Sequence, residues 1–445
     1  MLTARDPSAP LKPNPASSGN AAFALPDSDN PEAMHAESQL HGQLLMHDLA
    51  GAMESLRRAV AADPEFTRAW ALLAELYMDV GKPEESIEAL HRAINSDPKS
   101  PIPRKLLASA LTGPYRHPDE AITAWQELLE LTPQDHDATQ TLGGLFISQK
   151  RFAEAISLLE TATRENPNNT DLRVSLGKTY LLSGNPEKAI SAFDTALKIR
   201  PGADMKNEIG YILADANVKL PEALQYAKEA VQEEETASRD VHLEKLEVGD
   251  LSHTRLLAAY WDTLGWAYFR MDNLHEAEAC LFAAFHLSQD AINADHLGQV
   301  YEKDHKPDAA IRMYRLALAQ TVHPPETQER LDHMARTNTK SDSSFQGGAE
   351  LSQMRTTKVG RLVPGSASAE FFFLFAPGPK VEGVKFVSGS EELRTASKIL
   401  ATTAFNVPFP TGSDARILRR GILGCHPTTG CKLVMLVPSL VQSVH

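Results

Sequence analysis

The chain has 445 residues, 23% of them charged, and a formal net charge of -14 at pH 7. No Lys/Arg run offsets that charge, which argues against nucleic acid as a partner, although ordinary solubility produces the same balance. No stretch reaches the roughly 18 consecutive apolar residues of a membrane helix, and the length is too great for one compact core.

Residues 1 to 33 begin rich in Pro, Ser, Ala and Asp without periodicity, and are expected to be disordered. They lack a charged segment followed by an apolar one, so no secretory signal is read, which points to the cytoplasm. From there prolines recur almost evenly, at positions 64, 98, 133, 167 and 201. Each closes a helix-shaped segment with small residues at fixed places. Proline stops such a helix because the residue before it is pushed out of the α region.

Aligned on the prolines, one unit carries Trp70, Leu73, Ala74, Tyr77, Gly81, Leu90, Ala93 and Pro98. Two more carry Leu142, Gly143, Phe146, Ala155, Leu159, Ala162 and Pro167, then Leu176, Gly177, Tyr180, Gly184, Ala189, Phe193, Ala196 and Pro201. A later unit has Trp261, Leu264, Gly265, Tyr268, Ala277, Leu281 and Ala284, and the next has Leu297, Gly298, Tyr301, Ala310, Tyr314 and Ala317. This pattern resembles the tetratricopeptide repeat, whose consensus is W-x2-L-G-x2-Y, then A-x3-F, then P. The resemblance implies a mainly α fold, an α-α superhelical solenoid in which stacking supplies the core. Small residues at the eighth and twentieth positions allow the two helices of a unit to cross closely, and the larger residues at helical spacing fill the space between units.

About eight repeats are expected over residues 34 to 335. The spacing fails once, since Gly210 and Gly265 stand well over one period apart, so an insertion at 232 to 255 is expected to lengthen one helix and add a loop. A capping helix is read at 325 to 334 and a Ser/Thr/Gly/Gln linker at 336 to 352. Residues 353 to 445 change character. Short β-prone runs at 358 to 363, 370 to 376, 384 to 388, 417 to 423 and 432 to 437 flank a helical segment at 391 to 404. A small α+β domain is predicted there.

The run Trp261 to Trp266, the run His296 to Lys303 and the tail segment Arg419 to Leu423 together resemble the carboxy-terminal half of bacterial envelope proteins in which such repeats follow a transglutaminase-like region. That resemblance implies a substrate-recruiting half whose catalytic half is not in this sequence. The chain itself offers no phosphate loop, zincin motif or C-x2-C pair, so no catalytic residue, cofactor or metal is assigned and no enzyme activity is expected. Cys280 sits at a helix position suited to packing. Cys425 and Cys431 bracket a turn-rich loop between two apolar runs, and three readings stay open: a disulfide, two free thiols, or an incomplete metal site. A bridge would favour the periplasm over the cytoplasm.

A solenoid of this kind is expected to be a non-catalytic scaffold that binds a peptide or protein segment in its concave groove. The second, fifth, ninth and twelfth positions of each first helix face that groove. They hold Arg68, Ala71 and Glu75, then Asp137, Gln140 and Gly144, then Asp171, Val174 and Lys178. In the last two units they are Asp262, Trp266 and Phe269, then Asp295, Gln299 and Glu302. No Lys/Asn clamp for a terminal carboxylate assembles. Asp262, Trp266, Phe269, Asp295 and Gln299 are therefore the expected partner-binding residues, suited to a basic or apolar segment. The alternative is that Trp266 and Phe269 pack under the 232 to 255 insertion.

Overall fold

A computed structural model describes residues 22–113, 117–337, 346–378 and 381–438. The chain divides into two compact units, the described residues up to Ile199 and those from Arg200 onwards. Each is described in turn.

In the first unit, helices run α1 (Pro31–Ser38), α2 (Leu40–Leu45), α3 (Leu49–Ala62), α4 (Thr67–Asp79), α5 (Pro83–Ser96), α6 (Pro101–Thr112), α7 (Pro118–Leu131), α8 (His136–Ser148), α9 (Phe152–Glu165), α10 (Thr170–Leu182) and α11 (Pro186–Ile199). Proline opens α1, α5, α6, α7 and α11, where its missing N–H has no intrahelical partner to lose. The periodic prolines 98, 133, 167 and 201 each stand just past the end of a second helix. Between the two helices of a unit the chain takes a left-handed residue, glycine at Gly81 and Gly184, where that conformation costs no Cβ clash.

The segment expected to be unstructured lies, for residues 1–21, outside the described residues. From Ala22 onwards it packs: Ala22 and Leu25 are buried, and Arg68 of α4 donates to the Leu25 carbonyl and pairs with Asp27 and Glu37.

The second unit continues with α12 (Ala203–Asp215), α13 (Leu220–Ser238), α14 (Asp250–Arg270), α15 (Leu274–Ser288), α16 (Ala291–Lys303), α17 (Pro307–Leu318) and α18 (Thr327–Thr337). Residues 346–354 supply α19 (Gly347–Met354) where a linker was expected, and its Leu351 and Met354 pack on the α15–α17 core. The insertion lengthens both flanking helices, to 19 residues in α13 and 21 in α14, and leaves a loop at 239–249.

Five antiparallel strands follow in the order β1-β5-β4-β2-β3: β1 (Thr356–Gly360), β2 (Ala367–Phe375), β3 (Val381–Gly389), β4 (Ile417–His426) and β5 (Gly430–Met435). The helical segment between β3 and β4 is shorter than predicted, a 3-10 turn at Glu391–Ala396 running into α20 (Ser397–Leu400). Alternation along β2 sends Phe371, Phe373 and Phe375 into one core with Leu257, Trp261 and Ala284 of α14 and α15. Phe372 and Leu374 face the other way, onto Val241 and Leu243 of the insertion loop.

The insertion thus holds the sheet. The Thr254 hydroxyl of α14 donates to the Leu418 carbonyl at 2.8 Å and accepts from its N–H at 3.1 Å, Lys385 donates to the Leu243 carbonyl at 2.7 Å, and Arg416 donates to the Arg239 carbonyl at 2.7 Å. Burial of β2 on both faces explains its continuous apolar run, which reads less clearly from sequence than an alternating strand.

Candidate interaction groove

The first helices of three consecutive helix pairs, α12, α14 and α16, and the following α18 bring a polar and aromatic set together. On α14 the spacing of Asp262, Trp266 and Phe269 places all three on one face, and Asp295, Gln299 and Glu302 occupy the same three places on α16, one repeat later. Such registry needs a close helix crossing within each pair. An added Cβ at Gly265 would lie 2.7 Å from Leu281, and one at Gly298 would lie 2.6 Å from Tyr314. The side chain at the twenty-fourth position therefore seats on the glycine at the eighth, inside its own unit rather than between units.

Trp266 is 4% exposed and is the middle of a stack. Its ring lies 4.2 Å from His296 at 16° and 5.0 Å from Phe269 at 23°, with Arg270 above it at 5.7 Å. Its neighbours come from α14 and α16. Asp262 accepts from Nδ1 of His296 at 3.0 and 3.1 Å, and both residues are buried. Burial opposes charge on His296, but the Asp262 carboxylate, with Asp295 and Asp215 beyond it, outweighs burial and raises the imidazole above its ordinary pKa. Tyr211 of α12 stands 6.1 Å from the His296 ring, and its phenol is raised first by burial and then by Asp215, Asp262 and Asp295.

Asp295 is 2% exposed and fully engaged. It accepts from Thr327 at 2.7 Å, from Arg330 at 2.8 and 3.0 Å, and from Gln299 at 2.9 Å. The structure therefore brings the five expected groove residues onto adjoining helix faces but spends Asp262 and Asp295 on internal partners. Phe269 and Gln299 remain half-buried, Asp215 is exposed, and the indole N–H of Trp266 has no partner.

Sequence reasoning missed His296, Thr327, Arg330 and Tyr211. Tyr211 occupies the ninth place of its helix, one residue after Gly210, so the rule that selected Trp266 also selects it. His296 and Arg330 carry no such signal, because the groove positions of the repeat exclude the first and the last lies in the capping helix.

Elsewhere, Cys425 and Cys431 are cross-strand partners on β4 and β5, with Cα atoms 4.0 Å apart and a bond between the sulfurs. Among the described residues no group of three or more His, Cys, Asp or Glu side chains could hold a metal ion. Burial pushes the Cys280 thiol up to about 12, which keeps it from acting as a thiolate near neutral pH.

One tetratricopeptide-repeat family model matches residues 43–110 and 146–207, and a second matches 116–170. Residues 43–207 are tetratricopeptide repeats. The curated relatives are matched through part of their length. The chain is 25% identical over 190 residues to the bovine (Bos taurus) BBSome complex member BBS4, covering 43% of this chain and 36% of that protein. It is 33% identical over 82 residues to human tetratricopeptide repeat protein 33, covering 18% of this chain and 31% of that one. The chain thus spans about a third of the length of these relatives. Among solved structures, MamA aligns with a TM-score of 0.34 at 25% identity, over 38% of this chain and 92% of that one. A tetratricopeptide repeat protein from Parabacteroides merdae aligns with a TM-score of 0.42 at 15% identity, over 68% of this chain and 98% of that one.

The set lies on α12, α14 and α16, each the first helix of its pair. The fold is that of a protein-interaction scaffold.

Proposed function

We propose that this protein is a non-catalytic scaffold that holds an extended basic or apolar protein segment along the first helices of residues 200–337, with Phe269 and Gln299 as its principal contacts and Trp266 stacked beneath Phe269 as their support. The observation that supports this most is the half-exposed ring of Phe269, stacked at 5.0 Å on the buried Trp266. Aromatic anchors of this kind carry much of an interface's energy. Exposed Asp215 would favour cationic residues in the segment, while Asp262 and Asp295 orient His296, Gln299 and Arg330, and Glu302 accepts from Tyr314 at 2.7 Å.

The test is site-specific photo-crosslinking in the native host, with the reactive residue at Phe269 or Gln299 and, as control, at exposed Lys398 of α20. A protein captured from the first two positions and not from the third supports the reading, and Trp266→Ala should then reduce capture at least tenfold with unchanged circular dichroism. Capture from Lys398 alone would overturn it. If the captured partner is a transglutaminase-like protein or its substrate, the scaffold is the substrate-recruiting half of that system.

A further inference from the structure

The aromatic stack of the groove is longer than its tryptophan and has an ionisable ring inside it. Tyr211 of α12, His296 of α16, and Trp266 and Phe269 of α14 stand ring beside ring at 6.1, 4.2 and 5.0 Å, and Nζ of Lys303 closes the series 5.1 Å over Phe269. His296 is the member that changes charge near neutral pH. It is 6% exposed, and its Nδ1 lies 3.0 and 3.1 Å from the two carboxylate oxygens of Asp262.

The groups around the ring come from four helices. Asp262 and Arg270 belong to α14, with the Arg270 guanidinium 5.7 Å over the Trp266 ring; Asp295 is on α16, Asp215 and Tyr211 on α12, and Arg330, paired with Asp295, on α18. Lys303 is paired with Asp272, and Glu302 accepts from Tyr314, so these stand outside the balance. Asp215, Asp262 and Asp295 thus face Arg270 and Arg330, and a charged His296 makes the opposing charges equal. A neutral ring leaves Asp262, itself 7% exposed, as a buried carboxylate without its cation. It also removes the cation from its place against the face of Trp266. Asp262 and Trp266 are one helical turn apart on one face of α14, so water admitted to the carboxylate disturbs the stack beside it.

We propose that His296 is a proton-operated switch of the groove: with its ring charged the stack is closed and Phe269 is held as a firm shelf for the ligand, and with its ring neutral the stack loosens and capture weakens. The protein segment is held on the acid side of the His296 titration and released on the alkaline side. Burial lowers the imidazole, and Asp262, Asp295 and Asp215 raise it by more, so the change falls above the ordinary 6.5. The ligand's part in this rests on the groove reading; the response of the stack to the proton does not.

The whole chain is labelled with fluorotryptophan, the Trp266 fluorine resonance is assigned with Trp266→Phe, and it is followed between about pH 6 and 9 together with the imidazole ¹⁵N resonances of His296. The expected result is one reversible transition, shared by both signals, with its midpoint above 6.5. His296→Gln offers Asp262 a donor that cannot be charged and should remove the transition from the Trp266 resonance. Asp262→Asn should move the midpoint down by about one unit or more. Photo-crosslinking from Gln299, which leaves the stack intact, should capture at least about fivefold more partner at the acid end than at the alkaline end, and equally at both in His296→Gln. A Trp266 resonance in the unsubstituted protein that does not follow the His296 titration overturns the switch, whether or not a partner is captured. Equal capture at both ends with the transition present overturns its control of the ligand. Absence of capture at either end overturns the groove reading instead, and the fluorine titration then decides the switch alone.

Discussion

The paired helices of residues 22–199 and those of residues 200–337 share one backbone grammar and use their first-helix faces differently. In the former, α8 and α10 hold Asp137, Gln140, Gly144, Asp171 and Lys178, exposed or half-buried, with Val174 buried, whereas Arg68 of α4 is itself buried and paired with Asp27 and Glu37. Gly144 is so open that a Cβ there would meet nothing within 4 Å. In the latter, the equivalent positions hold Tyr211, Trp266, Phe269, Asp262 and Asp295, which stack and pair with one another, with His296 and with Arg330. Spacing is therefore the property of the fold, and the side chains set on it separate an open surface from an internally knit one. The contrast predicts unequal responses to equal substitutions.

The largest expected effect is in the knit face. His296→Leu removes the partner of a buried carboxylate, and an uncompensated buried charge costs about 3–5 kcal/mol. Gln140→Leu on the open face should stay within about 0.5 kcal/mol, as surface substitutions do. Thermal or denaturant melts of the two variants check this. Equal, small losses would mean that Asp262 finds water or another donor and that the two faces do not differ in kind.

Next in size is the close helix crossing, which both regions share. An added Cβ at Gly177 would lie 2.4 Å from the Phe193 ring, so Gly177→Leu should cost about 1–3 kcal/mol or more through overpacking. Nearest-neighbour coupling should show first as faster hydrogen exchange in α9 and α11. Gly144→Ala, one residue past the equivalent glycine of the preceding unit, should do the reverse and stabilise α8 by up to about 1 kcal/mol, because alanine is the better helix former and nothing obstructs it. If Gly177→Leu melts like the parent, the crossing is not where Phe193 and Gly177 place it.

How much of this was readable in the sequence follows from what each feature depends on. The proline period and the small-large pairing of Gly177 with Phe193 or Gly298 with Tyr314 are local regularities, so helix pairs and their ends are legible in the sequence itself. The sheet was also legible as β-prone runs, although β2 and β4 extend beyond them. What could not be read was pairing over long sequence separation. Thr254 with Leu418 and Arg416 with Arg239 join segments far apart in the chain, and nothing in residues 239–249 announces that they cover a sheet. The groove was half legible. Position within the repeat selected Asp262, Trp266 and Asp295, but exposure depends on neighbours, and His296 and Arg330 are supplied by places the repeat pattern does not mark.

The smallest effect expected, and the one that separates the two faces by chemistry rather than packing, is pH dependence. The folded state raises His296 above its ordinary value of 6.5, and raises His253 likewise through its hydrogen bond to Glu234. A raised pKa means that the fold binds more protons than the unfolded chain. The stabilisation is therefore complete below about 6.5 and is lost as pH rises through the folded values. His286 is lowered, so its contribution has the opposite sign: it is present above 6.5 and lost as pH falls below it. The melting temperature should accordingly decline on both sides, on the alkaline side through His296 and His253. A tenfold change in proton affinity corresponds to about 1.4 kcal/mol, which sets the scale of each limb. His286→Gln should flatten the acid limb and leave the alkaline one. Glu234→Gln should lessen the alkaline limb without removing it, since the Asp262–His296 pair persists. A melting temperature that instead rises steadily from pH 6.5 to 8.5 would mean that His296 is neutral in the fold, and that Asp262 holds it as a tautomer rather than as an ion.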